Sequence, residues 1–380
     1  MNSSFSKTKI KYLCTSLSIP LDKESLEENG KYPVYGASGI IGMMSYYQRN
    51  TPYLGIIKDG AGVGRIGKYP AFTSLLGTLS YILPNDGIDI DWLMYAIKSL
   101  NLNQSLDKTT IPHIYFSDYG NKKINVCSLI LQKKIATFLN SKCSQIDSLI
   151  ADITKEIELL KEYRKSVIYE AVTKGLDPNV EMKDSGIKWI GNIPKDWNIS
   201  KFKYAHSGLN VGEPIDKKYW SNDSSDSVFY TAGLYPIMSS YNNFPLLKKT
   251  TLQDLLMARN GTPYVYLPNA EALYTDHIIR AKIKKAWDRR YLFYCLQQSI
   301  ETEVVDTVSI TTWSASIWNN QFIPAPNIEM QILISNFLDS KCSEIDSVIS
   351  EKEQQIDKLN EYRKSLIYEY VTGKKEVPTV

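Results

Sequence analysis

Apolar residues recur at alternating steps of four and three in two long stretches of the chain. In residues 129–175 they occupy Leu139, Cys143, Ile146, Ile150, Ile153, Ile157 and Leu160. In residues 329–374 they occupy Leu338, Cys342, Ile345, Ile349, Ile356 and Leu359. A spacing of this kind places one apolar seam along a helix and predicts that the helix packs against another helix.

The two stretches are copies of one another. FLNSKCSQIDSLI (138–150) corresponds to FLDSKCSEIDSVI (337–349), and 24 of 42 positions counted from Gln132 and Gln331 are identical. Such similarity indicates a duplication. Because two equivalent halves are related most simply by a two-fold axis, the copies are expected to pack as an antiparallel pair.

The regions beside the helices predict β-rich domains. Short apolar runs such as YPVYG (32–36) and TPYLGIIKDG (51–60) alternate with turn residues, which is typical of strands. One helix is predicted in each region, at 90–102 and at 289–299. The predicted division is two domains at 1–128 and 201–328, two spacer helices at 129–175 and 329–374, a linker with an ordered turn at 176–200, and a tail at 375–380.

The expected fold is therefore α+β. Two β-rich mixed domains are separated by a pair of long antiparallel helices that form a coiled coil with pseudo-two-fold symmetry. Residues 142–173 alone would span roughly 48 Å at about 1.5 Å per residue.

Composition narrows the functional classes. The 380 residues carry a net charge of only +3, which permits nucleic-acid binding without requiring it. The five cysteines are widely spaced and form no CxxC pair, so neither a zinc site nor a disulfide framework is expected. No run of 18 apolar residues occurs, and a cytoplasmic protein without a membrane partner is expected.

The stretch GVGRIG (62–67) has the spacing of a dinucleotide-binding loop. That type of site requires a helix directly after the glycines. KYPAFTS follows instead, and Pro70 is incompatible with such a helix. The glycines are better explained by a tight hairpin or loop in which backbone can approach a partner closely.

Two loops are candidates for DNA contact because arginine and asparagine can bond guanine and adenine edges through two hydrogen bonds. The candidates in and beside these loops are Lys58, Arg65, Lys68, Tyr69, Arg259, Asn260 and Thr262. The alternative is a solvated turn with scattered charge. A second candidate set follows the two domain helices and comprises Lys108, Thr109, Thr110, His113, Thr311, Thr312 and Trp313. These residues could equally belong to ordinary connections.

No pattern of catalytic residues is present. The chain contains three histidines, no phosphate-binding glycine loop followed by lysine, and no HExxH or GxSxG sequence. This composition leaves little for acid–base catalysis and favours recognition over an enzymatic role.

The duplicated helices, SGIKWIGNIPKDW (185–197) and KDGAGVGRIG (58–67) resemble the specificity subunits of type I restriction–modification enzymes. The resemblance implies two target-recognition domains that each read one half of a split double-stranded DNA sequence. It also implies that two methyltransferase subunits, using S-adenosylmethionine, dock on the helices. Restriction subunits, using ATP and Mg, would join them. No cofactor is expected in this chain itself.

The helix span corresponds to roughly 14 base pairs at about 3.4 Å per pair, so the helices are expected to fix the length of an unread spacer. Because the two domains differ in sequence, the target should be asymmetric. The first half lacks a copy of residues 185–197, and IPAP (323–326) is replaced by INVC (124–127). The alternative function is an orphan coiled-coil interaction protein without DNA specificity.

Overall fold

The computed structural model describes residues 5–60, 62–102, 112–245, 248–260, 262–303 and 312–378. The chain divides into two compact units. Unit 1 comprises Met1–Lys155 and Lys352–Val380, and unit 2 comprises Glu156–Glu351. Each unit therefore contains one variable region together with parts of both duplicated stretches.

The described residues of unit 1 form three sheets, the first helices and the end of the last long helix. Its elements are β1 (Ser6–Lys9), β2 (Cys14–Leu17), β3 (Tyr32–Gly36), β4 (Gly39–Met44), β5 (Tyr53–Ile57), β6 (Ile66–Tyr69), β7 (Ser74–Leu75), β8 (Leu79–Pro84), α1 (Ile90–Lys98), α2 (Phe116–Gly120), β9 (Lys123–Val126) and the first part of α3 (Leu129–Lys174). The strand orders are β2-β8-β5-β6, β4-β3-β7 and β1-β9.

Unit 2 has the same kinds of elements. They are the end of α3, then β10 (Met182–Asp184), β11 (Asn192–Pro194), β12 (Asn198–Lys201), β13 (His206–Val211), β14 (Trp220–Ser221), β15 (Ser227–Tyr230), β16 (Ile237–Ser239), β17 (Asp254–Ala258), β18 (Val265–Tyr266), β19 (Leu273–Tyr274), β20 (Ile278–Ile283), α4 (Arg289–Glu303), α5 (Ala315–Asn320), β21 (Phe322–Ala325) and the first part of α6 (Ile328–Val371). The strand orders are β13-β20-β17-β18, β14-β16-β15-β19, β12-β21 and β10-β11.

The sheet topology repeats between the units although the intervening sequences share almost nothing. The order β2-β8-β5-β6 corresponds to β13-β20-β17-β18, and both sheets are antiparallel. In the smaller sheets, β7 joins β3 in parallel and β19 joins β15 in parallel. The duplication therefore extends through the domains, and the α+β class with two long helices is confirmed.

Helix α1 is shorter than the predicted 90–102. The Asp89 carboxylate caps it by accepting a hydrogen bond of 2.9 Å from the Trp92 N–H. The helix ends at Lys98, and Asn101 adopts the left-handed conformation with φ of 44°. Its buried face, from Trp92 to Ile97, joins the main core of unit 1. The corresponding prediction for 289–299 underestimates α4, which extends to Glu303.

The GVGRIG stretch lies in a hairpin, as predicted. Strands β5 and β6 pair antiparallel, with Tyr53 opposite Tyr69 and Ile56 opposite Ile66. Gly62 and Gly64 in the connecting loop have φ values of 89° and 81°, a region that strongly favours glycine. Strand β6 ends directly before Pro70, so no helix follows the glycines.

The long helices pack antiparallel within each unit. In unit 1 the Phe138 and Tyr370 rings are 4.5 Å apart, and Asp147 is paired with Arg363. Residue numbers thus rise along α3 as they fall along α6. In unit 2 the Arg164 Nε atom lies 3.1 Å from the Asp346 carboxylate. These two ion pairs join residues at equivalent positions of the duplication. Each pair links α3 to α6 within its own unit.

A buried glutamine fixes the start of each long helix to the domain beside it. Gln132 Oε1 accepts from Asp89 N at 2.8 Å, and its Nε2 donates to Cys127 O at 2.8 Å. Gln331 Oε1 accepts from Asp288 N at 2.9 Å, and its Nε2 donates to Pro326 O at 2.9 Å. The same clamp therefore holds both helix starts, although INVC replaces IPAP before the first.

Phe5 in unit 1 holds the place that Trp197 holds in unit 2. Phe5 directly precedes β1, and its ring lies against Gly373, just after the end of α6. Trp197 directly precedes β12, and its ring lies against Gly175, just after the end of α3. Both glycines have positive φ, of 72° and 79°. The first half thus retains an aromatic anchor although it lacks a copy of the turn at 185–197.

Within the described residues, no helix is long and apolar enough to cross a membrane.

Candidate nucleic-acid interface

In unit 1 the loop between β5 and β6 is held by backbone hydrogen bonds to two other segments. Lys58 N donates to Thr78 O at 3.0 Å, and Ile114 N donates to Lys58 O at 2.9 Å. Gly60 N donates to Pro112 O at 3.2 Å. Segments far apart in sequence, which carry Lys58 and Arg65 of the first candidate set and His113 of the second, therefore meet in one surface.

Unit 2 builds the same surface at the equivalent place. Arg259 N donates to His277 O at 2.8 Å, and Trp313 N donates to Arg259 O at 2.7 Å. The loop is closed where Ala258 N donates to Tyr264 O at 2.8 Å. We call these two regions reading surface 1, formed by residues 58–60, 62–65, 77–78 and 112–114, and reading surface 2, formed by residues 259–260, 262–264, 276–277 and 312–314.

The side chains of reading surface 1 combine basic residues with an acid–histidine pair. The Asp59 carboxylate is paired with the His113 ring, which is about half exposed. The exposed Arg65 guanidinium donates to Ala37 O at 3.3 Å, and the Lys58 side chain is half-buried. The surface therefore offers positive charge beside a carboxylate acceptor.

Reading surface 2 carries an amide in place of the carboxylate. The Asn260 Nδ2 atom donates to His277 Nδ1 at 2.8 Å. Arg259, Thr262 and Thr312 are exposed around this pair. His277 was not among the sequence candidates, because only the pairing of β17 with β20, in which Ala258 lies opposite Ile278, brings it beside Asn260.

Two predicted contact residues lie in the strand beside the loop of reading surface 1. Lys68 and Tyr69 belong to strand β6, where the Lys68 Nζ atom lies 2.8 Å from the Asp91 carboxylate at the start of α1. Tyr69 packs among other tyrosines, 5.1 Å from the Tyr35 ring, and burial raises the pKa of its hydroxyl. Both side chains are therefore engaged within the domain, beside the loop, and their contact with DNA stays a prediction.

The predicted contact residue Trp313 is an interior residue. Its side chain is 5% exposed and lies 4.9 Å from the Trp318 ring. Trp318 in turn donates from Nε1 to Ala258 O at 3.1 Å and supports the end of β17. Trp313 thus packs in the interior beneath the backbone of reading surface 2, and its side chain does not form part of the exposed face of that surface. Four further candidates, Lys108, Thr109, Thr110 and Thr311, lie outside the described residues.

The seam positions of the two long helices face the interior. Leu139, Cys143 and Ile146 join the core of unit 1, and Leu338 and Cys342 join the core of unit 2. Ile157, Ile345 and Ile349 are also buried. The half-buried seam positions are Ile150, Ile153, Leu160, Ile356 and Leu359. All five cysteines are free and buried, and burial raises the pKa of the Cys14 thiol to about 12.

The chemistry of both surfaces suits recognition of hydrogen-bonding edges. Arginine and asparagine side chains present donors and acceptors in fixed pairs, and basic residues beside them can meet phosphates. Among the described residues, no group of three or more histidine, cysteine or acidic side chains could hold a metal ion.

Comparisons with known proteins relate the chain to one family. No protein-family model matches it. The chain is 26% identical over 355 residues to the type I restriction enzyme MjaVIII specificity subunit of Methanocaldococcus jannaschii, covering 84% of this chain and 78% of that protein. It is 26% identical over 297 residues to the putative type I restriction enzyme MjaX specificity subunit of the same organism, covering 75% of this chain and 65% of that protein.

One solved structure has the same fold over nearly the whole chain. It comes from work on complex assembly and conformational transition of the type I restriction–modification system. The TM-score is 0.71 at 12% sequence identity, and the match covers 99% of both chains.

Proposed function

Because this chain is a homologue of the specificity subunits of type I restriction enzymes, we propose that it is the DNA-recognition subunit of such an enzyme. Each reading surface would contact one half of a bipartite double-stranded target. One observation carries this proposal: the same three-segment surface recurs at the equivalent place in both units, with different side chains at equivalent positions. A repeated scaffold with changed side chains suits two readers of different sequences.

The equivalent positions show the difference directly. Lys58 corresponds to Arg259, and Asp59 corresponds to Asn260, because Ile114 N and Trp313 N donate to the carbonyls of Lys58 and Arg259. An asparagine offers both a donor and an acceptor, whereas a carboxylate only accepts. The two half-sites are therefore expected to differ, which makes the target asymmetric.

The long helices would carry the other subunits of the enzyme. Off the seam, each copy exposes apolar side chains at matching positions. Tyr163 and Tyr362 are 56% and 55% exposed, and Leu149 and Val348 are 51% and 40% exposed. Matching exposed residues in both copies suit two identical partners, and the expected partners are two methyltransferase subunits. These subunits would use S-adenosylmethionine, and restriction subunits that use ATP and Mg would complete the complex.

The test is to co-express the full chain with its cognate adenine methyltransferase and to map methylated adenines in the host genome. The expected result is one asymmetric motif of two short blocks separated by an unread spacer. A palindromic motif would contradict the two-reader proposal. Absence of methylation, with both subunits folded and co-purifying, would favour an interaction protein without DNA specificity.

A further inference from the structure

Asn260 stands at the centre of reading surface 2. It follows Arg259 directly after strand β17, and its side chain is half-buried. The backbone on its N-terminal side is fixed from two directions, because Arg259 N donates to His277 O and Arg259 O accepts from Trp313 N. The Asn260 side chain therefore projects from a rigid frame.

The hydrogen bond to His277 holds the Asn260 amide. Nδ2 of Asn260 donates one hydrogen to Nδ1 of His277 at 2.8 Å. Because an amide Nδ2 only donates, this contact pairs with the His277 tautomer that accepts through Nδ1 and carries its proton on Nε2. With that tautomer, a reversed amide would place Oδ1 against the lone pair of Nδ1, whereas the other tautomer would donate to Oδ1 of a reversed amide. The contact therefore couples the orientation of the amide to the tautomer of His277.

The orientation in which Nδ2 donates to His277 leaves one hydrogen on Nδ2 and the acceptor Oδ1 unused by this bond. A donor and an acceptor side by side on an asparagine match the adenine edge in the major groove. Oδ1 would accept from the N6 amino group, and Nδ2 would donate to N7. No other base offers that pair in that order.

We propose that Asn260 reads an adenine in the half-site bound by unit 2, with His277 as the positioning residue that holds its amide. This inference rests on the proposed function. At the equivalent position of unit 1 the side chain is that of Asp59, a carboxylate paired with His113. A carboxylate cannot donate to N7, so the adenine contact at this position belongs to unit 2.

The test uses the full chain, co-expressed with its methyltransferase in cells that carry a plasmid library randomised at both half-sites. Asn260→Asp should change the preferred base from adenine to cytosine at one position of one half-site, because a carboxylate accepts from the cytosine N4 amino group. Asn260→Ala should relax the same position, with preference for adenine falling by about 5- to 150-fold. All other positions should stay unchanged.

The positioning role is tested separately. His277→Ala should relax preference at the same single position, whereas His277→Gln, which supplies an acceptor oxygen, should restore part of it. A merely structural histidine would instead lower methylation at every sequence equally. The matched control is Asn242→Asp, the same chemical change at an exposed asparagine of unit 2 outside the reading surface. It should leave the motif intact.

The outcomes separate the two proposals. If the wild-type chain directs no bipartite methylation, the proposed function fails and this inference fails with it. If the wild-type motif is methylated but Asn260→Ala and Asn260→Asp leave all positions unchanged, only the inference fails. A change in the other half-site would also overturn it. Thermal unfolding of each purified complex identifies variants that do not fold. If a variant does not fold, the base preferences of the folded Asn260→Ala and His277→Gln complexes test the inference.

Discussion

At the residue scale, basic side chains that look equivalent in the sequence have different environments in the folded protein. Lys68 and Arg259 both lie within or next to a glycine-containing loop. Lys68 is paired with Asp91, whereas the Arg259 side chain is exposed on reading surface 2. Arginine also offers a rigid fork of donors that lysine lacks. The two residues should therefore contribute very differently to DNA binding.

We predict that Arg259→Ala weakens binding of the methyltransferase complex to its target duplex by about 1–3 kcal/mol, the contribution of one specific base contact. Lys68→Ala should leave DNA affinity unchanged, because it removes only an exposed ion pair within the domain. Fluorescence anisotropy with a labelled duplex measures both. Equal losses for the two variants would contradict the assignment of reading surface 2.

A second residue-scale prediction concerns His206, which is buried in unit 2. Burial lowers the pKa of His206 below its ordinary value of 6.5, although the hydrogen bond between its Nε2 and Asn319 Oδ1, 2.8 Å long, partly opposes that shift. The unfolded chain therefore binds this proton more readily than the folded chain. The stability that neutral His206 contributes is present above pH 6.5 and is lost as pH falls through its folded pKa.

The expected result is that urea unfolding of the wild-type chain shows a larger loss of stability between pH 7.5 and 5.5 than unfolding of His206→Gln. Glutamine keeps a hydrogen-bonding group and cannot titrate. Because both proteins contain all the other titrating groups, the difference between their free energies of unfolding at each pH reports the contribution of His206. Parallel pH curves would show that His206 does not contribute to the pH dependence.

At the element scale, the long helices combine an apolar seam with a polar crossing contact. Arg164 and Arg363 interrupt the seam in equivalent positions, and each pairs with an aspartate of the opposite helix, Asp346 or Asp147. Apolar seams alone tolerate several registers, whereas a charged pair is satisfied in only one. The pairs therefore contribute more to register and direction than to the free energy of unfolding.

We predict that Asp147→Arg destabilises unit 1 by about 1 kcal/mol, because it replaces an exposed attractive pair by repulsion with Arg363. The double variant Asp147→Arg with Arg363→Asp should recover most of that loss. Thermal unfolding of the four proteins forms a complete double-mutant cycle. If the double variant is no more stable than the sum of the single variants predicts, the two residues do not interact.

At the scale of the whole molecule, the chain is a duplication in which the scaffold is repeated and the side chains of the two proposed reading surfaces differ. Both units have the same strand order in the main sheet and the same glutamine clamp at the start of a long helix. Each domain has its own core. Recognition should therefore be modular, with each unit specifying its own half-site.

Replacing residues 12–128 by the equivalent region of a homologous type I specificity subunit is predicted to change one half-site and to leave the other unchanged. The residues of reading surface 1 all lie within that range, whereas those of reading surface 2 lie outside it. Methylation mapping of the hybrid, co-expressed with the original methyltransferase, provides the measurement. Changes in both half-sites would contradict modular recognition.

The sequence by itself determined the features that depend on local pattern. The seam spacing predicted the long helices, the copied residues predicted the duplication, and Pro70 excluded a nucleotide-binding helix after the GVGRIG stretch. These predictions succeed because helix periodicity and proline geometry act over a few residues. The bounds were less accurate, since the end of α1 depends on the left-handed backbone at Asn101.

Only the tertiary structure decided which side chains share a surface. It showed that the main sheets of the two variable domains have the same strand order although their sequences share almost nothing, because strand pairing depends on backbone hydrogen bonds that many sequences satisfy. It placed His277 against Asn260, turned Trp313 into the interior and engaged Lys68 with Asp91. These contacts join residues far apart in the chain, and strand register, which no local pattern encodes, brings them together.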